Sequence, residues 1–171
     1  MSEPMSERAA ALRQQLIRNF DETPKVRELR EPLHDTLCAR LGAGTVAVGL
    51  GVSIDIVAPG MRGCPYHLHH AQEEAFVVLE GRGTLRVAGE LLEIKAGDVA
   101  FIPAGPDYPH QIINTSNAPL KYLSISTRET PEVVEYPDSG KFLARAGPLG
   151  DKGFGRMARL AEDLDYWEGE P

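Results

Sequence analysis

The chain has 171 residues, 42% of them hydrophobic, which suits one ordinary domain with terminal extensions and a core large enough to bury. Acidic residues outnumber basic ones by 25 to 18, a formal charge of -7, and this balance argues against nucleic-acid or anionic-membrane partners, which reward clustered Lys and Arg. No apolar run is long enough to cross a bilayer, the N-terminus lacks the basic-then-apolar layout of a signal peptide, and Cys38 and Cys64 fit no C-x-x-C pattern, so a reducing, cytoplasmic setting is expected.

Met1 to Pro4 read as loose. From Ser6 a helix is expected, because Ala9, Leu12, Leu16 and Phe20 form one apolar stripe, and Pro24 ends the pattern. A second helical piece is read over Pro32 to Leu41, with Leu33, Leu37 and Leu41 on one face and Gly42 as its stop; His34 within it reads as a plain helix histidine.

After Gly44 the period changes to two. Val46, Val48, Leu50, Val52, Ile54 and Ile56 alternate with small or polar residues, which predicts a strand. Pro59-Gly60 turns the chain toward a strand carrying His67 and His69. Glu74 to Leu79 is the next strand, Thr84 to Val87 and Leu91 to Ile94 form a hairpin, and Val99 to Ile102 ends at Pro103. His110 to Asn114 and Leu120 to Thr127 are read as a last hairpin. Beyond Thr130, Val133 and Val134 suggest an edge segment, Arg156 to Asp165 a short helix, and Tyr166-Trp167 an aromatic pair docked on the barrel or on a partner. Short strands separated by Gly or Pro turns indicate an all-β antiparallel sandwich or small barrel. The chain thus divides into a helical arm (1–44), a barrel (45–128) and a C-terminal extension (129–171) that packs on the barrel or on a partner subunit.

His67 and His69 lie two apart on a strand, so both imidazoles aim into one space. Glu74 opens the following strand, and His110 is the candidate fourth member. Three imidazoles and a carboxylate suit a first-row divalent metal (Fe, Mn, Ni or Zn), with open positions where water or substrate binds. His70 has the opposite parity and reads as non-ligating. Phe76, Val78 and Ile112 share parity with ligands and, with Tyr66, are candidate substrate-lining residues, although core packing would give the same pattern. Asn114 suits either the lumen or the turn before Thr115. Cys64 reads as a plain buried thiol.

These residues carry a resemblance. Gly60 to Asn114 resembles the two motifs of the cupin superfamily of small β-barrels. His67, His69, Glu74 and Gly81 match G-x5-H-x-H-x(3,4)-E-x6-G, with Gly60 one residue early. Gly97, Pro103, Gly105, His110 and Asn114 match G-x5-P-x-G-x2-H-x3-N, with four residues rather than two before His110. The resemblance implies a double-stranded β-helix (jelly-roll) barrel whose His67, His69, Glu74 and His110 hold one divalent metal, with Asp107 as a fallback ligand.

The resulting expectation is a metal-dependent enzyme on a small polar metabolite. Its chemistry would be decarboxylation or dioxygenation of an organic acid, or isomerisation of a sugar derivative. The alternative is a non-catalytic metal-dependent binding or sensing module. Candidate acids or bases are Tyr108 and Asp107, held between Pro106 and Pro109, together with Tyr66. A homodimer is expected, because barrel edge strands need cover and both arms could cross to a neighbour; arms folded back on their own barrel are the alternative.

Overall fold

Alternation with period two governs nearly the whole chain, and the backbone pairs accordingly. The computed structural model describes residues 5–147, 153–159 and 164–170. Its elements are helix α1 (Glu7–Leu16) and strands β1 (Val26–Arg30), β2 (His34–Arg40), β3 (Leu50–Val57), β4 (Leu68–His69), β5 (Glu74–Glu80), β6 (Arg82–Val87), β7 (Glu90–Lys95), β8 (Val99–Ile102), β9 (His110–Ile113), β10 (Leu120–Thr127), β11 (Glu132–Tyr136), β12 (Lys141–Ala146) and β13 (Phe154–Arg159). The read of Met1 to Pro4 lies outside the described residues.

Helix α1 starts where the sequence places it. The Ser6 hydroxyl accepts a hydrogen bond from the Ala9 N–H at 3.2 Å and so caps the first turn. The helix ends at Leu16, before Phe20, and Leu12 and Leu16 are exposed. Phe20 instead packs against an outer apolar cluster of Ala39, Leu41 and Ile54, which fastens the arm to the barrel.

The expected second helix is a strand. β2 lies between β1 and β3 in antiparallel register, with Leu37 opposite both Arg27 and Ile56. Leu33, Leu37 and Leu41 are four apart, and residues at that spacing share a face on a helix and on a strand alike. Pairing to β3 decides between the two.

The six-stranded sheet runs β1-β2-β3-β10-β5-β8; a three-stranded sheet runs β7-β6-β9 and a four-stranded one β13-β12-β11-β4. A bridge between His67 and His110 joins the two smaller sheets into one layer facing the larger one. The inner core fills the space between layers. Val57, Phe76, Val78, Ile102, Leu120 and Tyr122 come from the large sheet, and Leu85, Ile94 and Ile112 from the three-stranded one. Burial of each contributes roughly 1.5–3 kcal/mol.

Three further expectations change. β9 and β10 are not a hairpin, since β9 pairs with β6 while β10 pairs with β3 and β5. Asn114 makes that switch between sheets: its amide N–H groups donate to the carbonyls of Val57 and Ala118, both at 2.8 Å, and its oxygen accepts from the Ser116 N–H and hydroxyl. Arg156 to Asp165 is not a helix where it is described, because Phe154–Arg159 adds to the free edge of β12 and satisfies its backbone groups; residues 160–163 lie outside the described residues. Tyr166 and Trp167 stack edge-to-face on each other and are 83% and 72% exposed, so they are not docked on this barrel.

Candidate metal centre

Two short stretches of backbone hold the histidines in place. The His67 N–H donates to the His110 carbonyl at 3.1 Å and the His110 N–H returns a bond to the His67 carbonyl at 2.7 Å, so the two residues are direct cross-strand partners. His69 pairs with Val134 of β11, and its carbonyl accepts from the Gly105 N–H at 2.8 Å. That last bond resolves the extra length before His110. Gly105 is tied to His69 and His110 to His67, so the additional residues form an exposed turn between two anchored points. Gly81 closes the first motif with φ +84, and a Cβ there would lie 2.5 Å from the Pro119 carbonyl oxygen, so only glycine fits.

The side chains converge as strand parity demands. His67, His69 and Glu74 offer ligand atoms that all lie within 4.8 Å of one another. Glu74 Oε2 is the meeting point: it is 2.7 Å from His110 Nε2, 3.6 Å from His69 Nε2 and 3.8 Å from His67 Nε2. The opposite ring nitrogens face oxygen. His67 Nδ1 is 2.9 Å from the Pro65 carbonyl and His110 Nδ1 is 3.1 Å from that of Tyr108. An Nδ1–H donating to a carbonyl leaves the Nε2 lone pair free for a metal, which is the usual second-sphere arrangement. His110 sharpens the point. Oxygens lie beside both its nitrogens, the Tyr108 carbonyl at Nδ1 and Glu74 Oε2 at Nε2, so an ion seated between Nε2 and Glu74 would be held by both. The donor set of imidazole nitrogens and one carboxylate oxygen therefore fits a first-row divalent ion.

Burial tunes the charges in the same direction. Burial pushes the His67 imidazolium down to about 4, helped by the charge of His110 and opposed by Glu74. Burial likewise lowers His69, with Glu74 and Glu132 pulling the other way. Burial raises the Glu74 carboxyl, but the His110 hydrogen bond and the charges of the three imidazoles outweigh it and hold the group below its ordinary value. Neutral His67 and His69 beside an ionised Glu74 are the state a metal needs of them.

The remaining expected residues sort clearly. His70 turns away and hydrogen-bonds Glu135 at 2.6 Å, as its parity requires. Phe76 borders the cluster, its ring 5.5 Å from that of His110. Val78 and Ile112 are buried in the inner core. Asn114 is a turn residue, its polar atoms all engaged as described above, and is not a lining group. Tyr66 is buried, yet its hydroxyl accepts from the Gly89 N–H at 3.2 Å and Arg86 covers its ring, so it supports the β6–β7 turn. Asp107 and Tyr108 are exposed, and among the described residues only the Tyr108 carbonyl reaches the cluster. Cys64 is half-buried, its thiol pushed up to about 12 by desolvation, with its sulfur 3.8 Å from His67 Nδ1.

Sequence reasoning missed several groups. Glu132 on β11 is 2% exposed and its Oε1 lies 3.6 Å from His69 Nδ1. Tyr136, on the same face, stacks over His67 at 6.2 Å between ring centroids. Arg145 of β12 is half-buried in register with Glu132, and its charge is felt at His69. Asp55, on the strand face of Val57, is half-buried, with the Ser53 hydroxyl donating to it at 2.6 Å. No sequence signal marked it, because the alternating apolar set of this strand (Val52, Ile54, Ile56) has the opposite parity.

Residues 53–126 match the family model described as "Cupin domain". An uncharacterized protein of Methanocaldococcus jannaschii is 41% identical over 73 residues, 40% of this chain and 57% of that protein. An oxalate-binding protein of Thermotoga maritima is 37% identical over 59 residues, 34% of this chain and 47% of that protein. The chain thus spans about half the length of the curated relatives it matches. A crystal structure from Acidithiobacillus ferrooxidans, provisionally described as a sugar phosphate isomerase, superposes with a TM-score of 0.77 at 27% identity, covering 90% of this chain and 97% of that one. Two facing antiparallel layers, both histidine-bearing motifs in place between them, and these likenesses agree: the chain carries a cupin domain over residues 53–126.

Proposed function

We propose that this chain holds one divalent transition metal (Fe, Mn, Ni or Zn) through His67, His69, Glu74 and His110, and that it is an enzyme acting on a small polar metabolite. The observation that carries this reading is the convergence of three imidazole Nε2 atoms on Glu74 Oε2, at 2.7, 3.6 and 3.8 Å. A bound divalent ion supplies Lewis acidity that polarises a substrate oxygen or a water. The chain's own groups do the rest. The carbonyls of Pro65 and Tyr108 hold two rings in the tautomer that presents Nε2, the Phe76 ring borders the cluster, and Arg145 offers a positive charge on the same face as Glu132. A cation there favours an anionic or phosphorylated substrate. Isomerisation of a sugar derivative is supported by the likeness to the Acidithiobacillus structure, and a small organic acid as the molecule bound is supported by the Thermotoga relative, named for binding oxalate.

A non-catalytic binding module is the second reading. Among the described residues neither Asp107 nor Tyr108 turns its side chain to the cluster, and one relative is named for binding oxalate.

Protein purified without chelators should contain close to one divalent metal per chain, and His69→Ala should lose most of it while staying folded. Equal metal in the wild type and in a His67→Ala/His69→Ala variant would refute the metal centre. Organic acids and sugar phosphates are then screened with the Fe(II), Mn(II) and Zn(II) forms, with and without oxygen. Product formation supports the enzyme, and saturable binding without product supports the binding module.

A further inference from the structure

We infer that Glu132, which lies outside the matched cupin domain, is a positioning residue of the metal centre: it orients His69 and fixes the tautomer that presents Nε2. This rests on the metal-binding reading above.

Four buried side-chain polar atoms lack a hydrogen-bond partner among the described residues, and two of them belong to this one pair: His69 Nδ1 and Glu132 Oε2. Glu132 is 2% exposed, a placement that a carboxylate rarely accepts without a partner. Its Oε1 shares the His70 N–H, at 3.1 Å, with the Val133 carbonyl, at 2.9 Å, and lies 3.6 Å from His69 Nδ1. The carboxylate is therefore anchored by the backbone of the residue next to His69. A shift on the order of half an ångström gives an Nδ1–H donor its ordinary hydrogen-bond length to Oε1.

Register explains the placement. Val134 pairs with His69, so Glu132, two residues earlier on the same face of β11, sits beside the imidazole. His67 and His110 rest their Nδ1 atoms on backbone carbonyls. His69 has no such carbonyl among the described residues, and Glu132 takes that role with a full charge. A carboxylate behind a ligating histidine sets the tautomer and raises the basicity of the other nitrogen, and its loss typically weakens metal affinity about 10–100-fold. The strands after residue 128 thus complete the site rather than merely covering the barrel.

The test compares wild type, Glu132→Gln and Glu132→Leu at pH 8, using Zn(II) alone as the probe, titrated against a competing chelator. The isosteric Gln keeps the shape if Leu fails to fold. The expected order of affinity is wild type, then Gln, then Leu, with the weakest roughly 10–100-fold down. Nitrogen-15 NMR of the metal-free protein reads the His69 ring directly: wild type should hold the proton on Nδ1, and both variants should shift it toward Nε2. Wild-type affinity and an unchanged His69 tautomer in a folded variant overturn the inference. A lowered melting temperature with unchanged Zn(II) affinity also overturns it, because that is a merely structural role. If the wild type binds no Zn(II), the metal reading fails, while the tautomer comparison still tests Glu132.

Discussion

His110 Nε2 and Glu74 Oε2 lie 2.7 Å apart although their strands belong to different sheets, β9 to the three-stranded sheet and β5 to the six-stranded one. The pair is thus a contact between the two layers. It closes the cluster only because the layers stack with the His67–His110 bridge at the seam. A divalent ion at this point would tie the layers together, so metal should stabilise the protein.

The ionisation of the site makes a prediction about acid stability. His67 titrates near 4 when folded and near 6.5 when unfolded, so the unfolded chain binds more protons between those values. Its contribution is fully present above about 6.5 and is lost as pH falls toward 4, on the order of 3 kcal/mol in all. Asp55 acts in the opposite sense, because burial raises its carboxyl and so disfavours the folded state once it is ionised. Urea unfolding of the metal-free protein from pH 8 to 4.5 should show falling stability on acidification. Asp55→Asn should raise stability at pH 7 and steepen the acid loss. Flat stability over that range would contradict the burial of His67.

Asn114 gives a purely structural prediction. Its amide spans the crossing between layers with bonds to Val57, Ser116 and Ala118. Asn114→Ala removes the donor to the buried Val57 carbonyl, whereas the exposed Ala118 carbonyl keeps the Ser116 hydroxyl, so a loss of about 1–3 kcal/mol is expected in denaturant midpoints. Metal content per folded molecule should not change.

The proline-flanked turn before His110 makes a third. Tyr108 is 45% exposed and Asp107 is exposed, so Tyr108→Phe and Asp107→Asn should keep their metal and near wild-type turnover or ligand affinity. A fall in turnover of about a hundredfold or more would instead place this turn in the chemistry.

Assembly is the fourth. Val26 and Leu29 on edge strand β1, Leu12 and Leu16 on α1, and Tyr166 and Trp167 are all exposed in the single chain. We expect a homodimer that covers the arms, and light scattering should give close to twice the 18.7 kDa of one chain. A Leu12→Ser/Leu16→Ser variant should shift the mass toward the monomer. A wild-type mass of one chain at micromolar concentration would refute the dimer.

What the sequence by itself determined follows from local periodicity. Alternation marked β3 and β5 as strands and put Phe76 and Val78 on the ligands' side, and the spacing of His67, His69 and Glu74 brought three ligand atoms onto one face, because side-chain direction on a strand is a two-residue rule. In β3 the pairing decided which face is inner: Val52 and Ile54 of the alternating set pack in the outer cluster, while Val57 of the other face fills the inner core. Serine at position 6 capped a real helix for an equally local reason. Tertiary pairing decided the rest. Leu33, Leu37 and Leu41 fit helix and strand alike until β3 supplied a hydrogen-bonding edge, and Phe154–Arg159 became a strand because β12 left one open. Asn114 could face the lumen or the turn until the change of sheet claimed all its polar atoms. Glu132 stood 63 residues after His69 with nothing in its neighbourhood to mark it; only the register of β11 against β4 brought its carboxylate to the imidazole. Local rules set where a side chain points, and long-range backbone pairing sets what it meets.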